Sequence, residues 1–344
     1  MIIKHIKTLT LAFAILATFN SKSQTALAYM DKMNKEFVKI SEETWDYTRA
    51  VAHNKKAKQI EATRRNMLNA NRSALNRIKN MQPFKGDASF RDSTARYLEL
   101  SYLVLNNDYS KIVDMEEIAE QSYDAMEAYM MAQQLANEKL EVAADVMQAA
   151  QKKFAAENNI TLLDVDSKTE LKLEKASEVF KFYNQIYLVF FKPYKQEAYF
   201  MNALSKGDVN AMKQNQEALS KLSKEAKEKL KTVQPYKNNT TLKGACGDMM
   251  DFYIYEADTK ITPLVDFYLK KEKFDKLKTQ MDKKGQSSSK QEVDEYNAAI
   301  NDFNKAAAEF NKVNEELNKK RASNLDNWNN SVSKFLDRNV STKK

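Results

Sequence analysis

Apolar residues return every three or four positions along almost the whole chain, the spacing of one buried face of a helix. Ala136, Leu140, Ala143, Met147, Ala150 and Phe154 alternate steps of four and three and predict a buried helical seam. Val293, Tyr296, Ile300, Phe303, Ala307 and Phe310 do the same, and the stripe drifts on through Val313, Leu317, Leu325, Trp328, Val332 and Phe335. Such drift fits a straight helix on a core better than a long coiled coil. Breakers divide the remainder. Pro83 and Pro235 end helices, because the residue before a proline is pushed out of the helical region. A helix pair is predicted over 25–52 and 57–80, parted by His53-Asn54-Lys55. The later break, Ser205-Lys206-Gly207-Asp208, offers a glycine for a C-cap and an aspartate for an N-cap. Helices near 91–105 and 244–257 end in polar breaks at Asn106-Asn107-Asp108 and Asp258-Thr259-Lys260, with Pro263 in the next first turn. Asn158, Asn159 and the 160–168 segment form a connection, and 283–290, with three serines, is a low-complexity loop open to nicking.

Laid on itself at an offset of 152, the chain repeats. Met81-Gln82-Pro83-Phe84-Lys85 falls on Val233-Gln234-Pro235-Tyr236-Lys237, and Val113-Asp114 on Val265-Asp266. Apolar positions agree between these anchors: Ile60 with Met212, Met67 with Leu219, Ile78 with Leu230, Leu98 with Met250. The fold expected is all-α, two tandem, related helical bundles of long antiparallel helices over 24–160 and 161–344.

Residues 1–23 read as a secretory signal instead of fold. Lys4, His5 and Lys7 precede an eleven-residue apolar run at 9–19, and Ser21-Lys22-Ser23 places small residues three and one before a cut ahead of Gln24. The run is too short to span a bilayer, and no later stretch approaches the length required, so the mature chain is expected not to be membrane-spanning. Export puts the protein in the periplasm, at the cell surface or in the medium. The cut removes three lysines and no acid, so the net charge falls from +8 to +5.

Composition narrows the chemistry. Average usage would supply about forty glycines and prolines; the chain has five and four, too few for the turns of a sandwich, barrel or alternating β/α fold. No glycine-rich phosphate loop can be assembled from Gly86, Gly207, Gly244, Gly247 and Gly285. His53 is the only imidazole after the cut, in a polar inter-helix turn, and Cys246 is the only thiol, so no triad, di-iron pair or zinc set can form. Asp114, Glu116, Glu117 and Glu120 suit a helix N-terminus. Glu42, Glu43 and Asp46 beside Trp45 and Tyr47 are the one tight mixture of acids and aromatics, a pattern shared by sugar sites and amphipathic helices. No catalytic residue, metal or cofactor is expected, and no enzyme activity.

The positive charge lies in the second copy. Residues 24–157 carry 19 basic and 20 acidic side chains, 158–344 carry 33 and 27. Lys221, Lys224, Lys227, Lys229 and Lys231, then Lys270, Lys271, Lys273, Lys276 and Lys278, concentrate it, with acids spaced for helical ion pairs. Nucleic acid would ask for a stronger basic face; contact with an anionic envelope surface is open. At 179–191 a helix is apolar around most of its circumference, with Pro193 after it. It reads as a central core helix, or as an aromatic-lined pocket or partner contact through Phe182, Tyr183, Ile186, Tyr187 and Phe190.

The signal ending Ser21-Lys22-Ser23-Gln24, the paired Gln-Pro-Phe/Tyr-Lys elements and the helical patterning together resemble a family of exported all-helical surface proteins of Bacteroidetes and spirochaetes. Members are often lipoproteins, whereas this chain has no cysteine at the cut; no catalytic residues carry over. Asp92-Ser93-Thr94 is similar to the triplet that Bacteroidetes glycosylate on export. The architecture also resembles imelysin-like periplasmic proteins, but their Gly-x-His-x-x-Glu signature is absent. The expected function is a non-enzymatic, exported binding or structural protein of the cell envelope or surface, with a protein or envelope component as partner; the alternative is a periplasmic carrier of an apolar small molecule around 179–191.

Overall fold

In the computed structural model, which describes residues 14–16, 21–53, 55–108, 122–163 and 167–342, nine α-helices hold nearly all the described residues. They are α1 (Ser21–Ala52), α2 (Ala57–Lys79), α3 (Ser89–Leu103), α4 (Tyr123–Glu157), α5 (Lys168–Lys206), α6 (Val209–Thr232), α7 (Thr241–Tyr255), α8 (Ile261–Lys284) and α9 (Lys290–Asn339). The fold is all-α. The only strands among the described residues, β1 (Ala14–Leu16) and β2 (Thr161–Leu163), form an antiparallel ribbon with Ile15 opposite Leu162. Lys4, His5, Lys7, most of the 9–19 run, Val113, and Asp114 with Glu116, Glu117 and Glu120 lie outside the described residues. Among those described, no helix is long and apolar enough to cross a membrane.

Caps set the helix ends. Ser167 and Glu170 form a reciprocal capping box at the start of α5, the Ser167 N–H donating to Glu170 and the Glu170 N–H to the Ser167 hydroxyl. Ser289 and Glu292 repeat it at the start of α9. Asp208 accepts from the Ala211 N–H to open α6. Just before it, Gly207 at φ +67° closes α5, donating to Leu204 O while the Asp208 N–H reaches back to Ala203 O. Glycine is required here twice over: a Cβ would also stand 2.9 Å from the Tyr268 ring, whose hydroxyl donates to Leu204 O.

Two sequence expectations differ from what forms. Pro193 lies inside α5, although it cannot donate to the carbonyl four residues back. Buried Val189, Phe190 and Phe191 before it and Phe200 after it hold the helix through the missing bond. The polar stretches after α3 and α7 are not breaks. Val104–Asp108 and Glu256–Lys260 are π-helical, and the second runs straight into α8. Burial explains it: Met249, Tyr253, Ala257, Ile261 and Val265 all face the core in steps of four, slower than the 3.6 of an α-helix. A π turn absorbs the surplus residue.

Several local features recur 152 residues apart. The bridge Phe84–Asp87 answers Tyr236–Asn239. Lys85 and Gly86, both at positive φ, answer Lys237 and Asn238. The Ser89 N–H donates to Asp87 as the Thr241 N–H does to Asn239. The starts of α2, α3 and the first π segment answer those of α6, α7 and the second.

The chain divides into two compact units, 1–182 with 333–344, and 183–332. In the first, α1 packs on α2, α2 on α3 and α3 on α4. Phe154 of α4 meets Phe84 and Phe90 with ring centroids 5.2 and 5.1 Å apart, and Tyr29 of α1 joins them. The end of α9 is tied to α1 through His53–Asp337 (2.6 Å) and Arg49 donating to Thr342 O (2.8 Å). In the second, α6 packs on α7 and α8. An aromatic ladder joins α8 to α9: Phe267 meets Phe310 and Phe303, and Phe274 meets Phe303 and Tyr296. A rising number on one helix meets a falling number on the other, so the two run antiparallel.

Candidate functional site

The residues singled out in the sequence are mostly held in packing. Phe182, Tyr183, Ile186 and Phe190 are buried and Tyr187 is half-buried. In the first unit Phe182 meets Phe335 at 5.4 Å. In the second, Phe190 stacks on Trp328 at 4.3 Å, and Tyr187 lies against Tyr183 and Phe191. These rings are brought together as helix–helix contacts.

The other candidates disperse. His53 is no solvated turn residue: its side chain is 8% exposed, because Nδ1 is held by Asp337. Trp45 is buried with Lys172 over its ring, and Asp46 accepts from Arg49 at 2.7 Å. Cys246 is a buried free thiol, pushed up to about 12 by desolvation. Of the ten second-copy lysines named above, Lys224, Lys227, Lys231, Lys270, Lys271 and Lys276 are ion-paired on helix surfaces.

A charged cluster that sequence reasoning missed lies in the core of the second unit. Arg321 of α9 donates through Nε to Glu197 of α5 and through Nη2 to Glu256 Oε1 at 2.6 Å. Glu256 is the first residue of the second π segment and is fully buried; the Glu197 side chain is 6% exposed and that of Arg321 15%. Nη1 of Arg321 donates to Asn318, and the guanidinium lies 5.9 Å from the centroid of Phe252. Beside it, Tyr255 donates to Glu316 Oε1 and Lys260 to Glu316 Oε2 at 2.7 Å, which lowers the pKa of Glu316 and raises that of Lys260.

Two carboxylates share one guanidinium, so the cluster holds a net negative charge when both are ionised. Burial raises the pKa of Glu197 against the opposing pull of Arg321. Burial first, and then the charge of Glu197, lift Glu256 to about 7. Arg321 is raised: burial alone would lower it, and the two acids outweigh that. Tyr253, one turn before Glu256, is raised well above its ordinary value by burial and by both acids. Glu256 Oε2 and the Tyr253 hydroxyl are buried with no hydrogen-bond partner among the described residues. A proton near neutrality therefore belongs on Oε2, while Oε1 keeps its bond from Arg321. The cluster can take up and release one buried proton.

The positions 152 earlier than Glu197 and Glu256 are Trp45 and Val104, both buried. The same local fold accommodates apolar side chains there, so charge is an addition in the second unit. That contrast was the one signal available to a sequence reader. Within the Asn318-Lys319-Lys320-Arg321 run, Arg321 looks like a solvated charge. Among the described residues no group of three or more His, Cys, Asp or Glu side chains could hold a metal ion. No family model, curated protein or solved structure matches the chain.

Proposed function

We propose that the protein is exported and acts, without catalysis, as a helical binding or structural component of the cell envelope or surface, built by duplication of one helical module. The observation that carries the export is where the core begins. Cutting ahead of Gln24 would remove β1 and the first three residues of α1. It would leave the buried face of α1, which starts at Ala26 and continues through Met30, Met33, Phe37 and Ile40, untouched. The mature chain loses no core residue of α1, as a cleavable leader requires. Duplication is supported by the caps, bridges, positive-φ residues and π segments that recur 152 residues apart. Two related modules offer two helical surfaces to a protein or envelope component, and the unpaired remainder of the second-copy lysines favours an anionic one.

N-terminal sequencing of the protein isolated from fractionated cells of its native host tests this. A chain starting at Gln24 in the periplasmic, surface or medium fraction is expected. A cytosolic chain that retains residues 1–23 would overturn it.

A further inference from the structure

α4 is apolar on two opposite faces. Met126, Tyr129, Ala136, Leu140, Ala144, Met147 and Phe154 are buried, and at about 100° per residue they lie within roughly 40° of Leu140. Met131, Leu135, Val142 and Val146 project from the other side, about 180–240° round from Leu140, and are 65%, 49%, 66% and 59% exposed. A surface helix normally carries charge there. Large apolar groups spaced by four, seven and four residues form a continuous stripe roughly 22 Å long at 1.5 Å per residue.

The stripe is symmetric about the midpoint between Glu138 and Lys139. A two-fold axis through that point, perpendicular to the helix, sets each residue opposite the one equally far from the midpoint in a second copy. Met131 then faces Val146, Leu135 faces Val142, and exposed Ala128 faces exposed Ala149. Charge matches as well. Glu138 comes opposite Lys139, and Asp124 opposite Lys153, whose contact within its own chain is a 3.8 Å pair with Glu157 one turn away. A parallel arrangement would instead oppose Asp124 to Asp124, Glu138 to Glu138 and Lys139 to Lys139. An isologous interface needs one patch that is its own complement, and this patch is so in both apolar surface and charge. We infer that α4 is the antiparallel self-association face of the protein, joining two copies of this chain about the Glu138–Lys139 midpoint.

The test uses the full chain purified as it accumulates in its host. Sedimentation velocity between about 1 and 100 µM should give a dimer. Val142→Glu, an exposed substitution, should weaken it at least tenfold with helicity by circular dichroism unchanged. Register is read by mixing Leu135→Cys protein with Val142→Cys protein under copper–phenanthroline oxidation; buried Cys246 stays silent. The mixture should cross-link, and Val142→Cys alone should not. A monomer at 100 µM, a dimer indifferent to Val142→Glu, or cross-linking of Val142→Cys with itself would each overturn the inference. So would a monomer that instead binds phosphatidylglycerol vesicles through the stripe.

Discussion

Unit 183–332 should grow more stable as the pH falls from 8 to 5, opposite to a protein whose buried acids are held ionised. The agent is Glu256, faced by Glu197 and Tyr194 from α5, Tyr253 from its own turn and Arg321 from α9. The folded value of about 7 stands above the ordinary 4.5, so between these values the folded chain holds a proton that the unfolded chain has released. Stability is therefore fully present below about pH 4.5 and is lost as pH rises through 7. Linkage with those two values gives a loss of about 2.5 kcal/mol between pH 5 and 8, and Glu197, raised in the same direction, adds to it. The unit contains one of the two tryptophans, Trp328, stacked on Phe190. Urea melts followed by its fluorescence in a Trp45→Phe background read this unit alone. Glu256→Gln keeps the amide oxygen as an acceptor for Arg321 and removes the titration, so most of the pH slope should vanish. A wild-type midpoint that does not move between pH 5 and 8, or a Glu256→Gln chain that keeps the slope, would refute the assignment.

Three further outcomes are expected. Arg321→Ala leaves two acids buried without a cation and should cost about 3–5 kcal/mol in urea melts at pH 8. The triple change Glu197→Leu, Glu256→Val, Arg321→Met should instead be neutral or stabilising, and a loss as large as that of Arg321→Ala would mean the charges are needed for folding. Gly207→Ala, at φ +67° and against the Tyr268 ring, should destabilise by about 1–3 kcal/mol, seen as a lower Tm; an unchanged Tm contradicts the close approach. Cys246, pushed up to about 12, should react with a thiol reagent at pH 8 only in denaturant, and rapid labelling of the folded protein would show the helix to be open.

The helices were legible because their information is repetitive. The stripe from Ala136 to Phe154 and that from Val293 to Phe335 state one period many times over, and Gly207-Asp208 announces an end and a start through backbone geometry alone. The π segments were read as breaks because Asp258-Thr259-Lys260 is polar, while the step-of-four burial that identifies them shows only once the buried face is known. Pro193 was set outside its helix for a similar reason. The lost hydrogen bond is local, whereas the packing that outweighs it comes from residues on either side. The Glu197–Arg321–Glu256 cluster stayed hidden because a buried charge and a solvated one share the same letter. In a chain where nearly a third of residues are charged, the pairing of positions 124 and 65 residues apart cannot be picked out without the fold.

The second π segment also sets what kind of length change this region could survive. It amounts to one surplus residue threaded into a continuous α7–α8 rod. Deleting one residue within 256–260 would let the rod relax into plain α-helix. The deletion would turn everything after it by about 100° and swing Leu264 and Val265, now buried, towards water. A genetic screen of single-codon deletions should therefore find the polar, harmless-looking stretch Asp258-Thr259-Lys260 among the least forgiving places in the molecule, and the 285–289 turn among the most.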